Sequence, residues 1–145
     1  MYDQWHEQAY EHPDSIISVE ASAAESTDAS PVRVLTASKD GSIYVWGVLG
    51  DSANPDDRLS YVADYDLEEP LTRVKWLTAT CLVATTTHGN VYALEMSRDS
   101  QNIECLSRPK LVYSTAHEVA IWDLAVLNKN GKLEMWLAED SGKVT

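Results

Sequence analysis

At 145 residues the chain has the length of one ordinary domain, and its 44% apolar and 23% charged residues are globular rather than disordered composition. Eleven basic against 23 acidic residues leave a net charge of −12. That charge argues against direct nucleic-acid binding and against docking on an anionic membrane, both of which need clustered Lys and Arg; a basic protein or peptide segment remains open as a partner.

From Asp3 to Asp28 the chain holds seven carboxylates and no Lys or Arg, the pattern of a solvated face or loop. Residues 15–19 are a first β-rich run. A polar insert of small residues follows from Glu20 to Ser30. Residues 34–46 then pair an apolar, β-branched run with a second one across the turn Lys39-Asp40-Gly41. Asp-Gly supplies the positive φ of a tight hairpin turn. A second polar insert spans 49–58, and another β-rich run spans 59–65.

The sequence then repeats itself. Residues 71–76 are β-rich, and residues 82–94 form a second hairpin across His88-Gly89. A further run covers 110–114. The cycle starts again with 120–126 and with 134–145, whose turn is Asp140-Ser141-Gly142. Gly41, Gly89 and Gly142 stand 48 and 53 residues apart. Four short strands per repeat, with no helical periodicity of useful length, is the pattern of a β-propeller blade, whose usual period is about 40–45 residues. The two polar inserts account for the surplus.

These residues resemble a WD-repeat. The run from His12, His-Pro-Asp-Ser-Ile-Ile-Ser-Val, is similar to the His-led first strand of that family. Leu35 to Trp46 is similar to the two strands that end in its Trp-Asp dipeptide. The likeness is close over 12–48, looser over 70–96 and partial over 117–145, where His117 is expected to start a strand as His12 does. Gly47 replaces the Asp after Trp46, Glu11 replaces the Gly before His12, and Leu94 stands where the second repeat would carry Trp. The expected fold is therefore all-β, an incomplete WD-type propeller of two and a half to three blades. Residues 1–11 are read as a latching strand, 12–69 as blade one, 70–116 as blade two and 117–145 as the start of blade three. Propellers close with about four to eight blades, so further blades are expected from a longer chain or a partner.

The resemblance implies a structural hydrogen-bonded chain of His12, Thr36, Asp40 and Trp46. An indole N–H buried with its ring needs an acceptor; the Thr36 hydroxyl can supply it and relay to His12, while Asp40 orients the imidazole and ties the turn. A catalytic reading, with Thr36 as nucleophile, is set aside in favour of this structural one. The second repeat lacks these groups, with His88 at the Asp position, and is expected to be held by apolar packing alone and to be the softer blade.

No catalytic, cofactor-binding or metal-binding residue is assigned, since no P-loop, nucleophile elbow, dinucleotide fingerprint or zinc spacing occurs. Cys81 and Cys105 fit no disulfide framework or metal spacing and are expected to be reduced and buried. Asp140-Ser141-Gly142 with Thr145 matches a phosphorylation-dependent recognition motif, but the repeat frame makes it a turn. RNA binding through Trp5, Tyr10 and Lys39 is disfavoured because the bases are few and scattered. The expected function is a non-catalytic protein–protein interaction scaffold, a subunit of a larger assembly, cytoplasmic or nuclear. The alternative is a propeller enzyme with its site in the central channel. No cofactor is expected.

Overall fold

The computed structural model describes residues 15–21, 32–48 and 59–145. His12 and the expected latching strand lie outside the described residues, as do the insert at 49–58 and the part of the first insert from 22 to 30. The described chain is all-β, built of antiparallel sheets, none of them closed. Its first sheet is a four-stranded meander in the order β1 (Ile16–Ala21), β2 (Arg33–Ser38), β3 (Ser42–Val48) and β4 (Leu59–Asp66). β1 runs through Glu20 and Ala21, so the insert starts later than their polarity and small size imply. Register with Leu35 and Val34 holds them in the strand.

The second sheet is β5 (Leu71–Trp76), β6 (Cys81–Thr86), β7 (Asn90–Arg98) and β9 (Lys110–Ser114). The long β7 is shared. Its first half pairs with β9, and its far end pairs with the short β8 (Glu104–Leu106). The third sheet is the hairpin β10 (Ile121–Lys129) and β11 (Lys132–Glu139), with a single bridge from Ala138 to Val144. Its turn is Asn130-Gly131, both with positive φ, the most direct hairpin signal a sequence carries. His117 does not begin a strand. It sits in the 3-10 turn Ala116–Glu118 with φ 60°, and the strand starts at Ile121.

The sheets repeat one another in detail. Each first strand carries a register shift at the same place, between Ile16 and Ser18, Leu71 and Arg73, and Ile121 and Asp123. Each second hairpin closes with the glycine N–H donating three residues back: Gly41 to Ser38, Gly89 to Thr86 and Gly142 to Glu139. The residue after that acceptor donates to the residue before the first strand, Lys39 to Ser15, Thr87 to Pro70 and Asp140 to Ala120.

Strand alternation puts alternate side chains on opposite faces of a sheet, and the packing uses both faces of the second sheet. Leu82, Ala84 and Leu94 face the first sheet, where Leu35, Ala37, Ile43 and Val45 meet them. Val83 and Val91 face the third, against Ile121, Leu124 and Leu137. Fully burying each such Leu, Ile or Val side chain contributes about 1.5–3 kcal/mol. The first strands lie side by side, β5 between β1 and β10. Ser18 Oγ accepts from Val74 N at 3.3 Å, Thr72 Oγ1 donates to the Ile121 carbonyl, and Arg73 pairs with Asp123 at 3.1 Å. At the outer rim Arg33 grips both carboxylate oxygens of Glu104, at 3.0 and 2.9 Å.

Candidate functional site

Three of the four expected network residues, Thr36, Asp40 and Trp46, are among the described residues; His12, which would join them, is not. Thr36 and Trp46 point the same way from neighbouring strands, and the Trp46 indole donates to Thr36 Oγ1 at 2.8 Å. The ring is 4% exposed, stacks on Tyr44 at 5.5 Å and meets Tyr61 edge-on at 6.4 Å. Asp40 does not join that pair through any bond among the described residues. Its carboxylate turns into its own hairpin, accepting from the Ser38 hydroxyl and from Ser42 N at 3.1 Å. Asp40 therefore caps a turn. Burial raises the Tyr44 hydroxyl pKa above its ordinary value, and the carboxylates of Asp64, Asp40 and Asp66 add to the rise.

The second sheet is not held by apolar packing alone. Glu69, in the loop leading into β5, is the centre of a polar cluster that the sequence reading missed. It accepts from Thr86 Oγ1 at 3.2 Å, from Asn90 Nδ2 at 2.8 Å and from the Tyr92 hydroxyl. Burial first, then the hydrogen bond and charge of Glu69, push the Tyr92 pKa up to about 12, against a smaller lowering from Asn90. His88 Nδ1 stands 3.7 Å from Glu69 with its side chain 52% exposed. The Asp40 role passes to Thr86, whose hydroxyl oxygen accepts from His88 N and Asn90 N, both at 3.2 Å. A hydroxyl can do this because the turn needs only an acceptor near its N–H groups.

Cys81 and Cys105 are free and partly buried, rather than fully buried as expected; burial, then Glu95, raises the Cys81 thiol pKa. Among the described residues no group of three or more His, Cys, Asp or Glu could hold a metal ion, and no helix is long and apolar enough to cross a membrane.

On the third sheet Trp122, Leu127, Leu133, Trp136 and Val144 are exposed. Leu35, Val83 and Trp136 occupy the same place in successive sheets, each pointing onward from the sheet before it. Leu35 is 0% and Val83 1% exposed, but Trp136 is 49% exposed. Ile43, Val91 and Val144 form a second such series, and Val144 is 66% exposed. Ala125 and Ala138 flank Trp136, and these small residues leave a shallow depression of about 220 Å³ bordered by Asp123 and Val144. Such a surface takes up an apolar side chain or another sheet. Of the residues that line this depression the one acid is Asp123, which pairs with Arg73. The chain matches no protein-family model and no curated protein sequence.

Proposed function

We propose that the chain is an arc of a WD-repeat type β-propeller and works as a non-catalytic protein–protein interaction scaffold. Three sheets with the same bulge, turn and onward-facing side chains support the propeller reading. On that reading, residues 12–69, 70–116 and 117–145 are successive blades. The Thr36–Trp46 bond is the structural part of the WD-type network in blade one. The observation that carries the scaffold function is the open face of β10 and β11. The chain buries this face of its repeat twice, at Leu35 and at Val83, and presents it at Trp136. An apolar face rimmed by polar residues marks an interaction site, and a β-sheet of the same build is the partner that fits it. The net charge of −12 favours partners that bring basic segments.

Chemical crosslinking of the chain in cell extract, with mass spectrometry of the joined peptides, tests the reading. Crosslinks to protein partners that cluster around residues 122–144 and disappear in Trp136→Glu support it. Turnover of a substrate that is lost on substitution of His88 or His117 would overturn it in favour of an enzyme.

A further inference from the structure

We infer that the cleft between β4 and the β7–β8 hairpin binds an extended peptide segment that carries a carboxylate side chain between apolar ones. The site is separate from the open face of β10 and β11 and does not rest on the scaffold reading. β8 is a fifth strand of the second sheet, without counterpart among the described strands of the first and third sheets, and it lies beside β4. The cleft between them has a volume of about 390 Å³, within the roughly 300–1,000 Å³ of ligand pockets.

Three charged residues line it, and two of them satisfy each other. Glu104 is the one acid of the lining, and Arg33 holds both its oxygens, at 3.0 and 2.9 Å. Arg98 is left over: no ion pair among the described residues includes it. Its Nη1 donates to the Asn102 carbonyl at 2.9 Å, and a closed turn fixes that carbonyl. Asn102 N donates to Asp99 O at 2.9 Å, and Asp99 Oδ1 accepts from Gln101 N at 2.8 Å and from Ile103 N at 3.0 Å. One hydrogen bond thus orients a guanidinium whose remaining N–H groups suit the two oxygens of a carboxylate.

Apolar surface stands beside that cation. Ile103 is 55% and Tyr61 42% exposed, and both line the cleft together with Val48 and Val62. They can cover the apolar neighbours of a bound acid, while the Ser60 hydroxyl and the Asn102 amide can meet a peptide backbone. The preference for an acid is local. The chain's net charge of −12 repels an acidic segment at long range, but at about 0.15 M salt charges more than about 8 Å apart are largely screened. Contact with Arg98 acts at much shorter range.

Titration of the isotope-labelled whole chain with the peptide acetyl-Thr-Val-Glu-Val-Thr-amide, followed by nuclear magnetic resonance at about 0.15 M salt, tests this. Saturable shifts are expected at the amides of Tyr61, Val62, Asn102 and Ile103 and at the Arg98 side chain. The same peptide with Gln in place of Glu is expected to bind about tenfold more weakly, because it offers Arg98 no charge. That comparison uses the native chain and needs no variant. Arg98→Gln is expected to lose about tenfold towards the acidic peptide, and Arg98→Lys to fall between, since an ammonium cannot grip both oxygens. Ile103→Asp sets a second carboxylate at the site and is expected to abolish the shifts. Arg98 and Ile103 are both exposed, so the thermal midpoint should stay unchanged in these variants. Shifts that do not saturate or that centre elsewhere, equal binding of the Gln peptide, or equal binding by Arg98→Gln would each overturn the inference. So would sodium acetate shifting the same amides equally at the same concentration, which would make the cleft a site for any small anion. Crosslinks at residues 122–144 report on another surface, so neither experiment decides the other.

Discussion

Gly89 packs against Thr115 so closely that a Cβ on Gly89 would collide with the Thr115 hydroxyl oxygen and with the Val119 carbonyl. The hairpin turn of the second sheet is thus clasped by the segment leading to the third. The first sheet does the same, where a Cβ on Gly41 would lie 2.7 Å from the Glu69 carbonyl oxygen. At Gly142, the equivalent turn of the third sheet, nothing lies within 4 Å. Gly89 and Gly142 have nearly the same φ, 80° and 87°, so an alanine pays the same backbone strain at both and differs only in what it meets. Gly142→Ala is expected to cost about 1–2 kcal/mol, the penalty of a left-handed L-residue. Gly89→Ala adds about 1–3 kcal/mol for overpacking. Equilibrium urea melts of the two variants check the difference, and equal costs would remove the clasp.

Glu69 is expected to matter more than the histidine beside it. Glu69→Ala leaves the Thr86, Asn90 and Tyr92 donors without their acceptor, at a cost of about 1–3 kcal/mol. His88→Ala loses only a long, half-exposed ion pair, of the kind that contributes about 0–1 kcal/mol. Urea melts at neutral pH rank the two. A His88 variant as unstable as the Glu69 variant would mean that the imidazole, not the carboxylate, organises the turn.

The strands were largely legible because short runs of β-branched and apolar residues are bounded by turns that carry glycine. The runs 71–76 and 110–114 need no tertiary information. β8 escaped because three residues, Glu104-Cys105-Leu106, show no period. They are a strand only because the far end of β7 pairs with them. Glu69 escaped for a different reason. Its partners lie 17, 21 and 23 residues away, and one carboxylate among several in a polar loop has no local mark. Asn130-Gly131 is a hairpin signal in the sequence itself, but it stands outside the Gly41, Gly89, Gly142 spacing that marks the repeat.

Raising the pH is expected to destabilise the chain in the window where Tyr92 titrates. Its folded pKa of about 12 lies above the ordinary value of 10.0, so the fold favours the neutral phenol. That contribution is fully present below pH 10 and is lost as the pH rises from 10 through 12. Tyr44, also raised, contributes in the same direction. Tyr92→Phe should therefore lower stability at neutral pH, by removing a donor to Glu69, and flatten the fall above pH 10. Urea midpoints measured from pH 9 to 12 test this. An equally steep alkaline fall in Tyr92→Phe would assign the loss to other groups.

Removing the Thr36 hydroxyl tests whether the indole bond stabilises the first sheet. Thr36→Val keeps the branched shape but takes the acceptor away from a Trp46 N–H that is buried with its ring. The expected cost is about 1–3 kcal/mol, against about 3–5 kcal/mol for truncating the whole ring in Trp46→Ala. In the double variant Thr36→Val, Trp46→Phe the donor is gone as well, so the two costs should fall short of additive. Additive costs in that double-mutant cycle would show that the bond stabilises nothing.

The third sheet, rather than the second, is expected to open first. The second sheet lies between two neighbours and buries Val83, Leu82, Ala84, Val91 and Leu94 on both of its faces, and Glu69 ties its turn from one side. The third sheet buries Ile121, Leu124 and Leu137 on one face only, while Trp136, Leu127 and Val144 remain exposed on the other. Its turn at Gly142 has no clasp. Local opening costs least where few apolar contacts are lost. Amide hydrogen exchange should therefore be fastest in β10 and β11 and slowest in β6 and β7, although β10 and β11 form the longest ladder among the described residues. Slower exchange at Ala125 and Met135 than at Ala84 and Val91 in dilute solution would show that ladder length outweighs two-sided burial here.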